Sequence, residues 1–430
     1  MEINWKKNTA LFLIGQALSF FGTMVVQYAL VWHITLESWS GTMITLFTVA
    51  GFLPMFFISP FAGVWADRFN RKYVINIADG SIAFVSLIVA VCLMAGIKST
   101  ESYGLLLLCA LMRSLGQGVQ MPAVGAFLPQ IVPPDQLTRI NGFQGSIQSL
   151  VTLSAPMVSG ALMTFAPLQT LFFLDVVTAA IGISIVLFWV KVPPVTLVSD
   201  IDQAPEARPE QVPETQAEQA PPKGAAYFHD LKEGLRYIRK HGYVLRMIVL
   251  SAVFLFFFAP AALLTPLQVT RNFGSDVWRL SAIEITFSVG MMLGGIFIGV
   301  WGGFKNRIYT MALSCALCGI LAAGLGIAPN FWLYLAIMAV MGVLLPLWNA
   351  PSMVLLQTTV EPAFMGRVLS VFTMVSSTMM PLGMVVFGPA ADIVSIDTLL
   401  IGTGIVVTLL AIPLVTSKTM RKAGAAPAGN

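Results

Sequence analysis

The most marked shortage in this chain is of charged residues. Only 10% of its 430 residues are Asp, Glu, Lys or Arg, whereas 57% are hydrophobic. Soluble globular domains usually contain about 25% charged residues, so this composition excludes that class and favours a membrane protein. The net charge of +4 is small, and the positions of the positive residues are more informative than their number.

Cysteine and several catalytic signatures are also scarce or missing. The four cysteines, Cys92, Cys109, Cys315 and Cys318, all lie in apolar stretches, which argues against an exported disulfide framework. Two small apolar helix residues explain the C-x-x-C pair at 315 and 318 better than a redox or metal site. The sequence has no phosphate-binding loop, no H-E-x-x-H pair and no G-x-S-x-G elbow. We therefore predict that the protein is not an enzyme and uses neither metal nor cofactor.

Long apolar stretches make up most of the chain. Twelve of them are long enough for a membrane-spanning helix, which needs about 20 residues. Lipid-exposed backbone must satisfy its own hydrogen bonds, and alternating barrel strands are absent, so we predict an all-α membrane protein. The predicted spans are 9–34, 42–66, 73–97, 104–128, 141–165, 170–190, 243–270, 280–304, 308–328, 331–357, 368–391 and 398–416.

Lys and Arg are distributed unevenly between the two sides of this arrangement. With the N-terminus in the cytoplasm, the outer side contains only Lys98, Arg271 and Arg279, and the remaining loop cations are cytoplasmic. The positive-inside rule then predicts that both termini are cytoplasmic. The first span lacks a signal cleavage site and the chain lacks an organelle transit pattern, which favours a bacterial inner membrane.

A polar linker at 191–242 separates a first half, 1–190, from a second half, 243–430. Prolines recur through the start of the linker, which predicts an extended, solvated spacer. Residues 228–241 place apolar side chains on one helical face with Lys and Arg beside them. This pattern suits a helix on the anionic membrane surface, and a plain basic flank is an equal alternative. Neither interpretation implies nucleic-acid binding.

The two halves contain a repeated segment. Its residues Phe61, Gly63, Val64, Trp65, Asn70 and Arg71 return in the same order and spacing as Phe297, Gly299, Val300, Trp301, Asn306 and Arg307. Six predicted spans separate the copies, so both copies face the same side and the halves are parallel six-helix repeats. Duplicated halves in a membrane chain are typical of secondary transporters, whose site lies between the halves.

The sequence around the first copy resembles the major facilitator superfamily. Residues 63–72, GVWADRFNRK, are similar to the family's G-x-x-x-D-R-x-G-R-K turn. Asn70 replaces the usual glycine, and asparagine tolerates the left-handed backbone that we expect there. Residues 113–118, RSLGQG, are similar to the family's R-x-x-Q-G motif with one extra residue. Residues 155–160, APMVSG, are similar to the antiporter motif G-P-x-x-G-G, although Ala155 and Ser159 replace two glycines.

Finer details resemble the macrolide-efflux branch, in the third drug:proton antiporter family. They are Asp79 in helix 3, the segment 172–175 in helix 6, and Glu284 ahead of residues 290–295 in helix 8. The resemblance implies alternating access by two six-helix bundles and a gate at the turn between helices 2 and 3. The expected gate residues are Gly63, Asp67, Arg68, Arg71, Lys72 and Arg367. Asp67 is expected near the positive start of helix 11, and its alternative role is to mark topology.

Four ionisable residues lie within the predicted spans, namely Asp79, Arg113, Asp175 and Glu284. Such residues cost about 3 kcal/mol each on insertion scales, so we consider all four as candidates for proton coupling. Arg113 is either a switching charge partner or half of a permanent ion pair. Asp79 is expected mainly to partner the basic turn. Asp175 and Glu284, near the outer helix ends, either reach interfacial water or take up a proton.

Two of these charges, Asp79 and Arg113, lie at positions where the second half has no charge. Aligned through the repeat, Asp79 corresponds to Cys315, and Arg113 corresponds to Gly342. Both halves need similar residues to maintain the same fold. Charges that are present in the first half and missing at the equivalent positions of the second therefore suggest a function specific to the first half.

Amide and methionine side chains within the spans predict a mouldable, weakly polar substrate cavity. These candidates are Gln16, Gln27, Gln117, Gln120, Gln144, Gln148, Gln268, Asn349, Met121, Met353 and Met374. Without a phosphate-binding loop, uphill transport must use an ion gradient, so the expected partners are protons, membrane lipid and a small lipophilic substrate. We predict a monomeric proton-coupled exporter, with macrolide-type drugs as the leading substrates. The alternatives are export of a natural metabolite such as a siderophore, nutrient uptake, and a non-transporting sensor or scaffold.

Overall fold

The computed structural model describes residues 4–96, 103–192 and 233–425, and all structural statements here concern those residues. Within these ranges, the structure does not describe the side chains at positions 60, 63, 64, 66, 67, 68, 134, 138, 362 and 363. Residues 193–232, which include most of the predicted linker and the start of the predicted surface helix, lie outside the described ranges.

Six long helices form the first half. They are α1 (Trp5–Ser38), α2 (Gly41–Arg68), α3 (Arg71–Met94), α4 (Tyr103–Ile131), α5 (Leu137–Phe165) and α6 (Leu168–Ser184). A single 3₁₀ turn, Pro134–Gln136, precedes α5, and a π-helical turn, Ile185–Trp189, extends α6. The helices run beyond the apolar stretches because polar side chains cap them: the Asn4 side chain accepts a hydrogen bond from the Lys7 amide ahead of α1.

The second half begins with a short helix and repeats the six-span arrangement. Its helices are α7 (233–240), α8 (Gly242–Leu263), α9 (Thr265–Phe273), α10 (Val277–Trp301), α11 (Arg307–Leu325), α12 (Phe331–Thr359), α13 (Pro362–Ile393), α14 (Ile396–Leu409), α15 (Ala411–Thr416) and α16 (Lys418–Gly424). Helices α8 and α9 together make one span, as do α14 and α15. The described residues therefore contain 12 helical spans long and apolar enough to cross a membrane, which confirms the predicted number.

The repeated segment forms the same helix start in both halves. Asn70 precedes α3 and accepts a hydrogen bond from the Lys72 amide, and Asn306 precedes α11 and accepts one from the Ile308 amide. Asn70 has φ −62° and ψ 112°, so the predicted left-handed backbone is wrong. The sequence repeats asparagine here because its short side chain caps a helix, not because it replaces a flexible glycine.

Close packing at small residues joins equivalent helix pairs in the two halves. In the first half, Gly118 of α4 lies against Met55 and Ile58 of α2. In the second half, Gly290 of α10 lies against the backbone of Ala339 on α12. A methyl group at either glycine would overlap the neighbouring helix, so glycine lets the backbones approach this closely.

The halves meet through α2 with α13 and through α5 with α10. Thr45 of α2 donates a hydrogen bond to the Met384 carbonyl of α13 at 2.9 Å, and Gly160 of α5 lies against Ser281 of α10. These contacts lie toward the end that carries the α1–α2 and α13–α14 connections, which we call the far end. The other end, which carries the α2–α3 turn, is called the basic end.

Candidate functional site

A cavity of about 240 Å³ lies inside the first half, between α1, α4 and α5. Apolar walls come from residues such as Leu13, Phe20 and Ile147. Six of the predicted cavity residues line it together: Gln16, Gln117, Gln120, Met121, Gln144 and Gln148. The glutamines lie on three different helices, α1, α4 and α5. They meet at one cavity because these helices pack side by side.

Asp79 lies directly behind this cavity. Its side chain is buried on α3, and its two carboxylate oxygens accept hydrogen bonds from glutamines on neighbouring helices. Gln120 Nε2 lies 2.5 Å from Asp79 Oδ1, and Gln16 Nε2 lies 3.3 Å from Asp79 Oδ2. The expectation that Asp79 partners the basic turn is therefore wrong, because its partners are the neutral amides that line the cavity.

Arg113 of α4 and Asp175 of α6, which are 62 residues apart in the sequence, form a buried ion pair. The Asp175 carboxylate also accepts a hydrogen bond from Ser86 Oγ at 2.6 Å, and Arg113 Nη2 donates to the Thr23 carbonyl at 3.1 Å. The pair thus joins α1, α3, α4 and α6 at the centre of the first half. The expectation that Asp175 reaches interfacial water is wrong, because its side chain is fully buried beside the guanidinium.

Glu284 occupies a different environment on α10. It lies one helical turn after Ser281, on the same helix face, and Ser281 packs against Gly160 where α10 crosses α5. Glu284 is only partly exposed, and within the described ranges it has neither a hydrogen-bond nor an ion-pair partner. Among the four predicted ionisable residues, this one alone lies in the second half, close to the junction of the halves.

The remaining predicted cavity residues lie apart from the cavity. Gln27 faces Gly51 of α2. Asn349 and Met353 on α12 and Met374 on α13 belong to the second half. Gln268 corrects the prediction most clearly, because its buried amide accepts from the Tyr334 hydroxyl at 2.8 Å and donates to the Leu325 carbonyl and Asp397. Its hydrogen bonds link helices inside the second half and leave it no surface toward a substrate.

The fold and the site agree with a comparison against known families. The sequence profile of the Major Facilitator Superfamily matches residues 12–384, which is most of the chain. The protein belongs to this superfamily. It is therefore a transporter and a multi-pass membrane protein rather than an enzyme, and the resemblance noted in the turn after α2 is confirmed.

Curated relatives of this superfamily member include drug exporters. The chain is 26% identical over 416 residues to Macrolide efflux protein A of Streptococcus pyogenes, covering 96% of both chains. It is also 26% identical to Macrolide efflux protein A of Enterococcus faecalis, over 80% of this chain and 99% of that protein.

Solved structures of the superfamily share the fold at lower identity. A bacterial homologue of the human lysosomal transporter Spinster matches with a TM-score of 0.69 at 14% identity, over 100% of both chains. A bacterial homologue of the iron transporter ferroportin matches with a TM-score of 0.68 at 14% identity, over 96% of this chain and 99% of that chain. Together these matches establish the twelve-helix fold.

The superfamily turn between α2 and α3 braces the first half. Arg71 Nη1 donates to the Ala126 carbonyl at the end of α4, at 2.7 Å. Lys72 Nζ donates to the carbonyls of Leu187 and Val190, each at 2.8 Å, and so caps the end of the π-helical turn. The predicted gate residues Gly63, Asp67 and Arg68 lie outside the described side chains, so their gate role stays a prediction.

Arg367, the gate residue predicted at the start of the eleventh span, lies on α13 and contacts the end of the linker. Its guanidinium lies 2.7 Å from the Glu233 carboxylate of α7 and 5.7 Å from the Phe364 ring. Tyr237 of α7 stacks on Phe364 with ring centroids 4.6 Å apart. The end of the linker therefore docks on the first turn of α13 at the basic end.

Sequence reasoning missed the polar contact that holds the halves together at the far end. Asp392, at the end of α13, accepts hydrogen bonds from the amides of Gly41 at 2.6 Å and Thr42 at 2.9 Å, at the start of α2. The Ser40 and Thr42 hydroxyls donate to the same carboxylate, at 2.8 Å and 2.6 Å. Arg271 of α9 donates to the Trp39 carbonyl and lies 3.4 Å from Asp392. We call this set of contacts the far-end clasp.

The far-end clasp shows that the two halves are in contact at the far end in this structure. Within the described residues and side chains, every hydrogen bond between the halves belongs to the clasp or to the neighbouring Thr45. The halves are thus joined at the far end. A carboxylate at a helix N-terminus is a favoured partner for the exposed amides, and the sequence signal for it was an acidic residue near the end of a span.

Proposed function

We propose that this transporter is a proton-coupled exporter of lipophilic small molecules, with macrolide-type drugs as the leading substrates. The observation that supports this most is the cavity, where glutamine and methionine side chains meet apolar walls next to a buried carboxylate. The two relatives named Macrolide efflux protein A, which match over most of their length, favour the same substrate class.

The cavity is too small to enclose a whole macrolide. Pockets that enclose a whole drug-sized molecule measure about 300–1,000 Å³, and this cavity measures about 240 Å³. It therefore accommodates one part of a macrolide, while the rest of the molecule lies between the halves. Flexible methionine and apolar walls adapt to varied molecules, and the glutamines supply hydrogen bonds without a fixed charge.

Proton coupling rests on the distribution of buried charge. Arg113 and Asp175 neutralise each other, whereas Asp79 and Glu284 have no cation partner within the described ranges. A carboxylate without a cation is costly in a membrane interior, and proton uptake removes that cost. We propose that loading and release of a proton at these carboxyls drive the cycle, and that no cofactor is needed.

The direction of the cycle follows from the predicted orientation. With the basic end in the cytoplasm of a bacterial inner membrane, the far-end clasp closes the outer side. Substrate then enters the cavity from the cytoplasmic or inner-leaflet side, and separation of the clasp lets the halves rock to the opposite state.

Efflux measurements test this proposal. We expect cells that express the protein to accumulate less erythromycin than cells without it, and we expect a protonophore to abolish the difference. Asp79→Asn and Glu284→Gln should each reduce pH-driven efflux, because neither amide can release a proton. Asp135→Asn, which changes an exposed carboxylate in the turn before α5, is the matched control and should transport normally.

The opposite results have clear meanings. Full pH-driven efflux in both membrane variants would refute the assignment of the coupling carboxyls. Efflux that continues with a protonophore would refute proton coupling. A panel that includes siderophores and nutrients separates the remaining transport alternatives, because accumulation instead of loss of a nutrient would identify an importer.

A further inference from the structure

Two glutamines stand between the cavity and the buried carboxylate of Asp79. Gln16 and Gln120 both line the cavity, and the amide nitrogen of each donates to a different oxygen of Asp79. Gln120 Nε2 also lies 3.3 Å from Gln16 Oε1, so the two amides are connected to each other. Asp79 itself is only 2% exposed, and the two amides that bond to it are side chains that line the cavity.

A glutamine amide has two faces with opposite hydrogen-bonding character. Its nitrogen donates and its carbonyl oxygen accepts, and a half-turn of the terminal torsion exchanges the two. An ionised carboxylate only accepts hydrogen bonds, so it selects the orientation seen here, with both nitrogens toward Asp79. A protonated carboxyl group donates through its O–H, so it selects the reversed orientation, with a glutamine oxygen toward it.

The surroundings leave these amides as the main partners of Asp79. Helix α4 also carries Arg113 and α6 carries Asp175, but these two charges are paired with each other. Helix α1 contributes the neutral Gln16 and Ser19, and the described side chains of α2 carry no charge. On α3 itself, the ammonium of Lys72 and the guanidinium of Arg71 hold backbone carbonyls at the basic end.

We propose that Gln16 and Gln120 couple binding of a hydroxyl-bearing substrate in the cavity to ionisation of Asp79. A substrate O–H that donates to a glutamine carbonyl fixes that amide with its nitrogen toward Asp79, which favours the carboxylate. The Asp79 O–H bond then breaks and its proton leaves to water. A protonated Asp79 turns the carbonyl oxygens away from the cavity and so weakens substrate binding.

This inference rests on the proposed function and refines it. It identifies Asp79 as the carboxyl that senses the cavity, and it identifies hydrogen-bond donors as the substrate feature that is sensed. The sign is that of exchange, since substrate binding releases a proton and proton binding releases substrate, as reciprocal linkage requires. Gln16 and Gln120 do not exchange protons themselves, so they are positioning residues.

The pH dependence of substrate affinity tests the coupling. We expect the affinity of the purified full-length protein for erythromycin, a hydroxyl-rich macrolide, to fall about tenfold from mildly alkaline to mildly acidic buffer, within the range of typical couplings. Asp79→Asn should remove this Asp79-dependent change and leave only the titration of the drug amine, which is common to all variants. Gln120→Leu should remove the same change.

Gln117→Leu is the matched control. Gln117 lies on the same helix and lines the same cavity, and no hydrogen bond joins it to Asp79 among the described residues. Its loss should weaken binding equally at every pH. Gln120→Asn provides a second variant, since it keeps an amide but shortens the side chain, and it should also abolish the pH dependence. Retained erythromycin binding shows that each variant is folded.

Proton release gives an independent readout. In weakly buffered solution, erythromycin binding should release a proton from the wild-type protein and from Gln117→Leu, but not from Asp79→Asn or from the double variant Gln16→Leu/Gln120→Leu. Release by the double variant at the wild-type level would overturn the inference, while protonophore-sensitive efflux would still support the proposed function. Wild-type protein that binds erythromycin without Asp79-dependent proton release would also overturn it.

Discussion

The two halves share one fold and one repeated segment, yet they use equivalent positions differently. Asp79 of α3 faces glutamines behind a cavity, whereas its counterpart Cys315 is buried and its thiol lies 3.2 Å from the Val407 carbonyl. Arg113 of α4 holds Asp175 at the centre of its bundle, whereas its counterpart Gly342 lets α12 touch α10. At these two pairs of positions, the first half has buried charges, whereas the second half has uncharged residues that pack closely.

This difference shows which positions of a duplicated fold can hold a buried functional charge. A buried charge is tolerable only if neighbouring helices supply partners, and in the first half α1, α3 and α6 supply them for Arg113. In the second half a small residue at the equivalent position permits backbone contact, which favours a rigid bundle. Substitutions at matched positions in the two halves therefore test this difference.

The largest effect is expected for Arg113→Leu. The change leaves Asp175 buried without its cation, and breaking a buried pair from one side costs about 3–5 kcal/mol. The apparent melting temperature of the purified protein should fall by many degrees, and transport should be lost. The double change Arg113→Leu/Asp175→Leu should recover much of the thermal stability, because no unpaired charge remains. A stable single variant would show that the pair is not the centre of the first half.

A smaller loss of stability is expected for Gly342→Ala in the second half. The added methyl group would overlap the Phe287 carbonyl of α10, and such overpacking costs about 1–3 kcal/mol. The matched control is Gly295→Ala, since a methyl group at Gly295 meets no atom within 4 Å. Thermal unfolding should separate the two variants. Equal melting temperatures would contradict the view that close packing at Gly342 stabilises the second half.

The smallest effect is expected at the junction of the halves, for Asp392→Asn. An amide replaces the charge at the start of α2 and can accept fewer of its hydrogen bonds, so the far-end clasp should weaken by about 1 kcal/mol. That amount shifts the balance between far-end-closed and far-end-open states roughly fivefold. Distances between spin labels at Glu37→Cys and Ser395→Cys, in a background without the native cysteines, would report the shift.

The control for this prediction is Asp276→Asn. Asp276 also lies at the far end, but its partner is Arg279 within the same half. Its loss should leave the label distance distribution unchanged. An identical response to both substitutions would mean that general surface charge, and not the clasp, sets the balance.

Much of the architecture could be predicted from the sequence, because a membrane imposes simple rules. Spans need length and apolarity, and both are visible in the sequence of α1 or α12 without any knowledge of packing. The grouping of Gln16, Gln117, Gln120 and Gln144 at one cavity also follows a sequence signal, namely polar amides inside spans.

The partners of the buried charges could not be predicted in the same way. The distance along the chain between Arg113 and Asp175 says nothing about their contact, which depends on how α4 and α6 pack. Closeness in sequence predicts that Asp79 partners the basic turn, but the packing of α1 and α4 brings two glutamines within hydrogen-bonding distance of its carboxylate. The motif position of Asn70 predicts a left-handed backbone. In the structure its backbone is extended, and its side chain accepts a hydrogen bond from the Lys72 amide.

The amino-acid pattern along the chain is enough to predict the membrane environment, the twelve helical spans, the parallel repeat and the set of polar residues from which a site could be built. It could do so because hydrophobicity and helical hydrogen bonding act along the chain. The tertiary structure alone decided that Asp79 lies behind two glutamines, that Arg113 neutralises Asp175, and that Asp392 clasps the start of α2. These are contacts between distant segments, and only the relative positions of the packed helices determine them.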